Sequence, residues 1–370
     1  MGKIRKVVFV VRTMVPRVDK RIKEFIANGF DVDVYGFEFD NVKIDNTRNA
    51  DYYYNVLATI PNYPHQLSYR ERLMLFYRKL KEVINRYDKK ETLFYFFTIN
   101  TSFITLLIPK ILFINEESDM LFERSKNPLI RKLVIWVNKR IIKRSFITVF
   151  TSQGFADFYY GEKVPSNIVI IPNKVNAACL SLPSVEKKPF NPNHIRFAFT
   201  GNARYKSIFN MCRVIAEKYP QHEFHFYGTL NYFTEEQKKA VSNYSNVVVH
   251  GPFCNPDDLP EIYSNIDFVI STYDSAGINV RYAESNKIYE AMFFETPIIV
   301  STNTILEKKV KQYNIGFAVN AMDDQAVSQM IDSINDELYS VFRRNLKGID
   351  KIESVNVNTA FFKELKEKLF

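Results

Sequence analysis

The chain is predicted to fold as α/β, in two Rossmann-like, doubly wound domains that face one another across a cleft. Three observations predict this. Short apolar stretches alternate with amphipathic helical ones over residues 1–180, and a second such alternation starts at residue 195. Between them SLPSVEKKPFNPNH, residues 181–194, holds three prolines and no periodicity, and reads as a linker. Finally, 370 residues exceed what one ordinary core accommodates. The expected division is a first domain over 1–180, a second over 195–350, and a terminal helix over 351–370 packing back on the first domain.

In order, KVVFVV is the opening strand and a helix follows near Asp19–Asn28. Gly29 stops that helix before the strand DVDVYGF. Two longer helical patterns, HQLSYRERLMLFYRKLKEVINRY and NPLIRKLVIWVNKRIIKRS, surround the strands TLFYFF and KILFIN; FITVFTS and IVIIPN come after. The second series runs IRFAFTG, a helix through MCRVIAEKYP, EFHFYG, VVVHGPF, the helix DDLPEIYSN, and IDFVIST. TAFFKELKEKLF closes the chain as an amphipathic helix.

Composition excludes several classes. With 46% hydrophobic and 25% charged residues the chain is neither disordered nor fibrous. Cys179, Cys212 and Cys254 stand far apart without a CxxC pair, which argues against a disulfide framework or a zinc site. No G-x-G-x-x-G follows the first strand, against a dinucleotide enzyme, and no RNP, KH or zinc pattern speaks for nucleic acid. The run VVFVV is too short for a signal peptide and no spanning stretch is found, so a cytoplasmic protein is expected. Charge is uneven. Residues 1–190 hold 31 Lys and Arg against 19 Asp and Glu, residues 191–370 hold 19 against 22, and the chain's net +9 thus resides in its first half.

ESNKIYEAMFFETPIIVS, residues 284–301, carries the clearest chemistry. Ser285 or Asn286 caps a helix whose free N–H groups open beside Lys287, and Glu290 lies one turn on along the same face. That end suits a diphosphate, and the carboxylate suits a ribose diol. A surface helix with an ion pair is the plainer alternative. FTGNARYKS adds Gly201 and Asn202 directly after a strand, with Arg204 and Lys206 beyond. Gly228 and Gly251 end two more strands, and Phe253 follows, placed to pack against a base or in the core. Asp31 and Asp33 share one face of their strand, and Asp257 and Asp258 sit at a helix start, so neither pair implies a metal.

The order TGN…K, YG, HGPF…DLPEIYSNIDFVIST and SNKIYEAMFFETPIIVS, extending through IGFAVNAMD, resembles the donor-binding domain of GT-B glycosyltransferases. The likeness is to family-4 and related enzymes that build bacterial capsular and exopolysaccharides. VPRVDKRIKEFIANGFDVDVYGF, INEESDM and PNKV resemble the acceptor half of the same group more loosely. The resemblance implies a nucleotide-sugar donor, a UDP-sugar by expectation, no cofactor and no metal. Arg204 or Lys206 with Lys287 would hold the diphosphate, Asn286 would stand beside them, Glu290 would bind ribose, and Ser275 and Gly277 would line the sugar pocket. Many retaining members place a further glutamate eight residues before the ribose-binding one. Here Tyr282 stands there, and Glu284 is only six before. An inverting route would take its base from Glu116, Glu117 or Asp119, with Asp119 preferred and Glu117 next.

Arg124–Arg144 holds eight basic residues and no acid, interleaved with Leu133, Ile135, Trp136, Ile141 and Ile142; residues 70–86 are similarly mixed. These two segments suit an anionic membrane surface, or solvated faces of packed helices. The combined expectation is a glycosyltransferase peripheral on the inner membrane face. Its acceptor would be a glycan linked to polyprenyl diphosphate, in surface polysaccharide synthesis. The alternatives are a non-catalytic GT-B accessory subunit, favoured by the missing glutamate, and a sugar-nucleotide 2-epimerase.

Overall fold

The computed structural model describes residues 4–39, 51–61 and 67–370; His65 and Gln66, predicted to open a helix, lie outside them. The chain forms two compact units, Met1–Ile171 with Asn358–Phe370, and Pro172–Val357.

The first unit holds a seven-stranded sheet: β1 (Lys6–Val11), β2 (Asp31–Phe39), β3 (Tyr54–Ile60), β4 (Thr92–Phe97), β5 (Leu112–Glu117), β6 (Ile147–Phe150) and β7 (Ile168–Ile170), in spatial order 3-2-1-4-5-6-7. Every pairing is parallel. Val7 to Val11 and Leu93 to Phe96 are fully buried, so the central strands read as unbroken apolar runs, as strands covered on both faces must. The second unit repeats the plan with β8 (Arg196–Asn202), β9 (Glu223–Thr229), β10 (Val247–Gly251), β11 (Phe268–Ser271), β12 (Ile298–Ser301) and β13 (Gly316–Val319), in order 10-9-8-11-12-13 and again all parallel. In both sheets the order reverses beside the first strand, which opens a ligand crevice at the carboxyl ends of the strands.

Residues 181–194 are laid on the second unit rather than strung between two bodies. Lys187 donates to the Tyr263 carbonyl at 2.8 Å and to Thr296 Oγ1 at 2.6 Å, and Phe190 stacks on Tyr339 at 3.8 Å. The chain passes between units at Ile171–Pro172 and returns at Val357–Asn358. The closing helix, Thr359–Leu369, buries Phe361, Phe362, Leu365 and Leu369 in the core around Phe25 and Phe30 of the first unit.

The aspartates of β2 have a structural use. Lys6 Nζ pairs with Asp31 at 3.1 Å and with Asp33 at 2.7 Å, and the Tyr87 hydroxyl donates to Asp33 at 2.6 Å. Among the described residues no group of three His, Cys, Asp or Glu is arranged to hold a metal ion, and no helix is long and apolar enough to cross a membrane.

Candidate functional site

The helix Asn286–Phe293 begins where predicted. Ser285 accepts from the Lys287 N–H at 3.3 Å through its hydroxyl and from the Ile288 N–H at 3.3 Å through its carbonyl, which leaves the Asn286 N–H at the helix start for a ligand. Lys287 is only 7% exposed, yet among the described residues it pairs with no carboxylate. Its ammonium lies 4.7 Å from the Phe199 ring centroid, and a side-chain carbon added at Gly201 would come within 3.8 Å of it. Gly201 has φ of 108°, so the end of β8 turns in a conformation that keeps bare backbone against the lysine. An ammonium so far removed from water without a counter-ion costs several kcal/mol, roughly, and an anion entering here would recover it.

Around the ammonium stands a hydroxyl network. The Tyr273 phenol shares a 2.7 Å hydrogen bond with the Ser285 hydroxyl and accepts from Ser271 at 3.3 Å. Burial alone would raise the Tyr273 pKa. The Lys287 charge, the two serines and Arg204 outweigh it and hold the phenol below its ordinary value. Tyr205 meets Tyr273 edge-on at 4.8 Å, and the Arg204 guanidinium lies 5.2 Å over Tyr205. Arg204 and Lys206 are both exposed. The helix Lys206–Lys218 takes its cap from Asp274, which accepts from the Lys206 N–H at 3.2 Å and the Ser207 N–H at 2.9 Å. That helix end is thus already satisfied by a carboxylate.

Glu290 is 4% exposed and held from both sides. Tyr263 donates to one oxygen at 2.6 Å and Asn286 to the other at 2.5 Å. A carboxylate accepts about four hydrogen bonds, so each oxygen keeps a lone pair for a diol. Neither Tyr263 nor Tyr273 was singled out in the sequence. Tyr263 lies 27 residues from Glu290, and no local spacing announces the contact.

The other predicted positions divide. Asn202 is turned to Thr229, whose hydroxyl donates to it at 2.7 Å. Gly228 is needed by packing, since a Cβ there would meet the Gly201 carbonyl oxygen at 2.0 Å. Gly251 and Phe253 line a cavity of about 500 Å³ with Tyr227, His250 and Ile262. Ser275 and Gly277 belong to a turn braced by Arg281, which donates to the Ser275 carbonyl at 2.8 Å.

Residues 198–365 match the model of the glucosyltransferase 3-like C-terminal domain. Sucrose-phosphate synthase of Thermosynechococcus elongatus is similar over the whole length, at TM-score 0.69 and 15% identity, with 98% of each chain covered. HepE of Anabaena in complex with UDP-glucose follows at 0.68 and 14%, again with 98% of each chain covered. A putative UDP-N-acetylglucosamine 2-epimerase of Listeria monocytogenes gives 0.64 and 14%, covering 100% of this chain and 98% of that one. No curated protein sequence matches. Residues 198–365 carry a glucosyltransferase-type domain, and the chain as a whole shares the GT-B fold of these structures.

Glu284, the acid nearest the position that Tyr282 takes, is already engaged. Its buried carboxylate pairs with Lys309 at 2.7 Å and accepts from the Tyr289 hydroxyl, fixing the start of the helix. In the first unit the three acids at the end of β5 have different surroundings. Glu116 is fully buried, accepts from Arg21 Nε at 3.1 Å and from the Tyr95 hydroxyl, and has Arg17 at 3.4 Å. Glu117 is 2% exposed, with one oxygen 3.5 Å from Asn115 Nδ2 and the other without a hydrogen bond. Burial pushes its carboxyl up to about 8, so near neutral pH it carries a proton and is a donor rather than a base. Asp119 is exposed and accepts from Ser118 at 3.3 Å.

Proposed function

We propose that the protein transfers a sugar from a UDP-sugar to a glycan carried on a lipid-linked diphosphate, in surface polysaccharide synthesis. The observation that carries the donor side is Lys287, almost buried and without a carboxylate partner among the described residues, at the open start of a helix. A nucleotide diphosphate meets both the charge and the positive end of the helix, where the Asn286 N–H is left. Glu290, aligned by Tyr263 and Asn286, takes the ribose diol, and Arg204 and Lys206 reach the diphosphate from the exposed side. As the bond to the sugar breaks, negative charge gathers on the leaving diphosphate, where Lys287 opposes it without a metal. Asp119, the exposed acid among the three at the end of β5, is the one assigned to the acceptor hydroxyl. UDP-glucose is the first donor to try, because HepE was solved with it.

The acceptor side is supported by the helix Pro128–Arg144. It exposes Leu129, Ile130, Leu133 and Trp136 together with Lys132, Lys139, Arg140 and Lys143. The helix Tyr69–Ile84 exposes Leu73 and Met74 near Arg70 and Arg78. Apolar side chains rimmed by cations suit an anionic leaflet, at about 1 kcal/mol per cation near the surface. This surface also speaks against an epimerase, which acts on a free nucleotide sugar.

The test is thermal denaturation with UDP, GDP, ADP and CMP, on wild type, Lys287→Ala and Glu290→Ala. Stabilisation by UDP alone, lost in both variants, is the expected result; at about a hundred times the dissociation constant it amounts to about 2.7 kcal/mol. Indifference to every nucleotide sinks the donor reading. A second reading, a nucleotide-binding accessory subunit, is favoured by Tyr282 standing where a glutamate is usual and by the locked Glu284. It predicts the UDP shift without sugar transfer to any acceptor.

A further inference from the structure

The first unit carries a second concentration of unpaired positive charge. Arg12 directly follows β1, and its guanidinium lies 5.4 Å over the ring of Phe39, the last residue of β2. Arg124 closes the short 3-10 segment Leu121–Arg124 that follows the end of β5, and Arg72 lies in the first turn of the helix after β3. All three therefore belong to segments that leave the carboxyl edge of one parallel sheet, the edge at which doubly wound sheets take their ligands. Arg12 is partly buried, and both Arg124 and Arg72 act on it: burial first, then each of those charges, lower its pKa. Among the described residues none of the three pairs with a carboxylate, although Asp119 and Glu123 lie on the same loop as Arg124.

Two arginines of the helix after β1 are treated differently. Arg21 reaches Glu116 and Glu24, and Arg17 faces Glu116. Guanidinium groups that repel one another gain nothing for the fold by standing together, and Phe39 offers only a ring face. Their planar forks match phosphate oxygens, and a phosphate would turn the repulsion of Arg12 by Arg72 and Arg124 into charge-assisted hydrogen bonds. The neighbours narrow the ligand further. Arg72 shares its helix with the exposed Leu73 and Met74, and Arg124 stands just before the helix exposing Leu129, Ile130, Leu133 and Trp136.

We infer that Arg12, Arg72 and Arg124 form a binding site for a phosphate or diphosphate group borne by an apolar chain, an inference that rests on the acceptor reading above. The experiment is isothermal titration with farnesyl diphosphate, inorganic pyrophosphate and farnesol, in saturating UDP so that the Lys287 site is filled. Wild type binds farnesyl diphosphate. Arg12→Gln and Arg124→Gln each weaken it by about tenfold or more, the loss of one charge-assisted bond, and their UDP-induced thermal shift stays intact to show the fold. Tighter binding of farnesyl diphosphate than of pyrophosphate supports a lipid source, and equal binding supports a site for the phosphate group from a soluble source. Three results overturn the inference: no binding of either anion, binding that both variants retain, or farnesol matching farnesyl diphosphate. A protein that answers to UDP but not to the diphosphates loses this site and keeps the donor reading. One that binds farnesyl diphosphate through these arginines and ignores nucleotides keeps the site and loses the proposed function.

Discussion

Glu116 in the first unit and Lys287 in the second are both charged groups taken almost wholly out of water, yet the fold completes one and leaves the other open. Glu116 has Arg21, Arg17 and Tyr95; Arg21 continues to Glu24 at 2.6 Å, and Glu24 accepts from Asn358 at 2.8 Å, just before the closing helix. Lys287 has a ring face, a helix start and a bare glycine. Burial alone therefore does not mark a functional charge. A missing partner does, because the fold bears a desolvation cost that only a ligand repays.

The largest effect expected from that contrast lies on the closed side. Glu116→Ala leaves Arg21 buried beside an empty place and should cost about 3–5 kcal/mol of stability. Urea denaturation would read it as a lower midpoint at unchanged slope, while the UDP shift of the second unit persists. A variant as stable as wild type would erase the distinction. On the open side Lys287→Ala should do the reverse. Sugar transfer from UDP-glucose should fall by about 10²–10³ in kcat/KM, the loss of one principal stabiliser of developing charge. Stability should hold or rise, since no internal partner is lost. A denatured Lys287→Ala protein would make the lysine a structural member after all.

Which side a residue belongs to was only partly legible in the sequence. The two parallel sheets could be read because central strands such as KVVFVV and TLFYFF are apolar on both faces. β3, YNVLATI, escaped because it is an edge strand with a mixed pattern. The cap at Ser285 and the turn at Gly201 were local, and spacing revealed them. NEESD looked like one polar run. Only the partners brought by other elements, Arg21 and Tyr95 for Glu116, separate its buried acids from the exposed Asp119. Tyr263 and Tyr273, which align Glu290 and surround Lys287, reach the site through tertiary contacts alone.

Glu117 sharpens the comparison as a buried acid lacking one partner but uncharged. Its folded pKa, about 8, stands above the value of 4.5 it has when free, so the folded state binds the extra proton between those limits. The stability it contributes is present below about pH 4.5 and is lost as pH rises through 8. For one proton the slope is at most about 1.4 kcal/mol per pH unit. Glu117→Gln, which keeps shape and neutrality, should flatten stability over this window in denaturation curves taken from pH 5 to 9. An unchanged slope would mean that Glu117 is ionised in the fold and fit for use as a base.

The smallest effect tests whether the open site is tuned as well as empty. Tyr273 and Lys287 lean on each other: the ammonium favours the phenolate, and a phenolate would occupy the charge that a diphosphate needs. UDP binding should therefore weaken in wild type as pH climbs toward the lowered phenol pKa, and Tyr273→Phe should remove that alkaline loss. At neutral pH the same substitution takes one hydroxyl from Ser285, a change of about 0.5–1.5 kcal/mol, seen as a several-fold weaker dissociation constant at most. Titrating UDP from pH 7 to 9.5 in both proteins separates the outcomes. Parallel curves would mean that Tyr273 only braces the helix cap. A flat curve for Tyr273→Phe against a falling wild type would make the unpaired lysine one half of a coupled pair whose other half is the phenol.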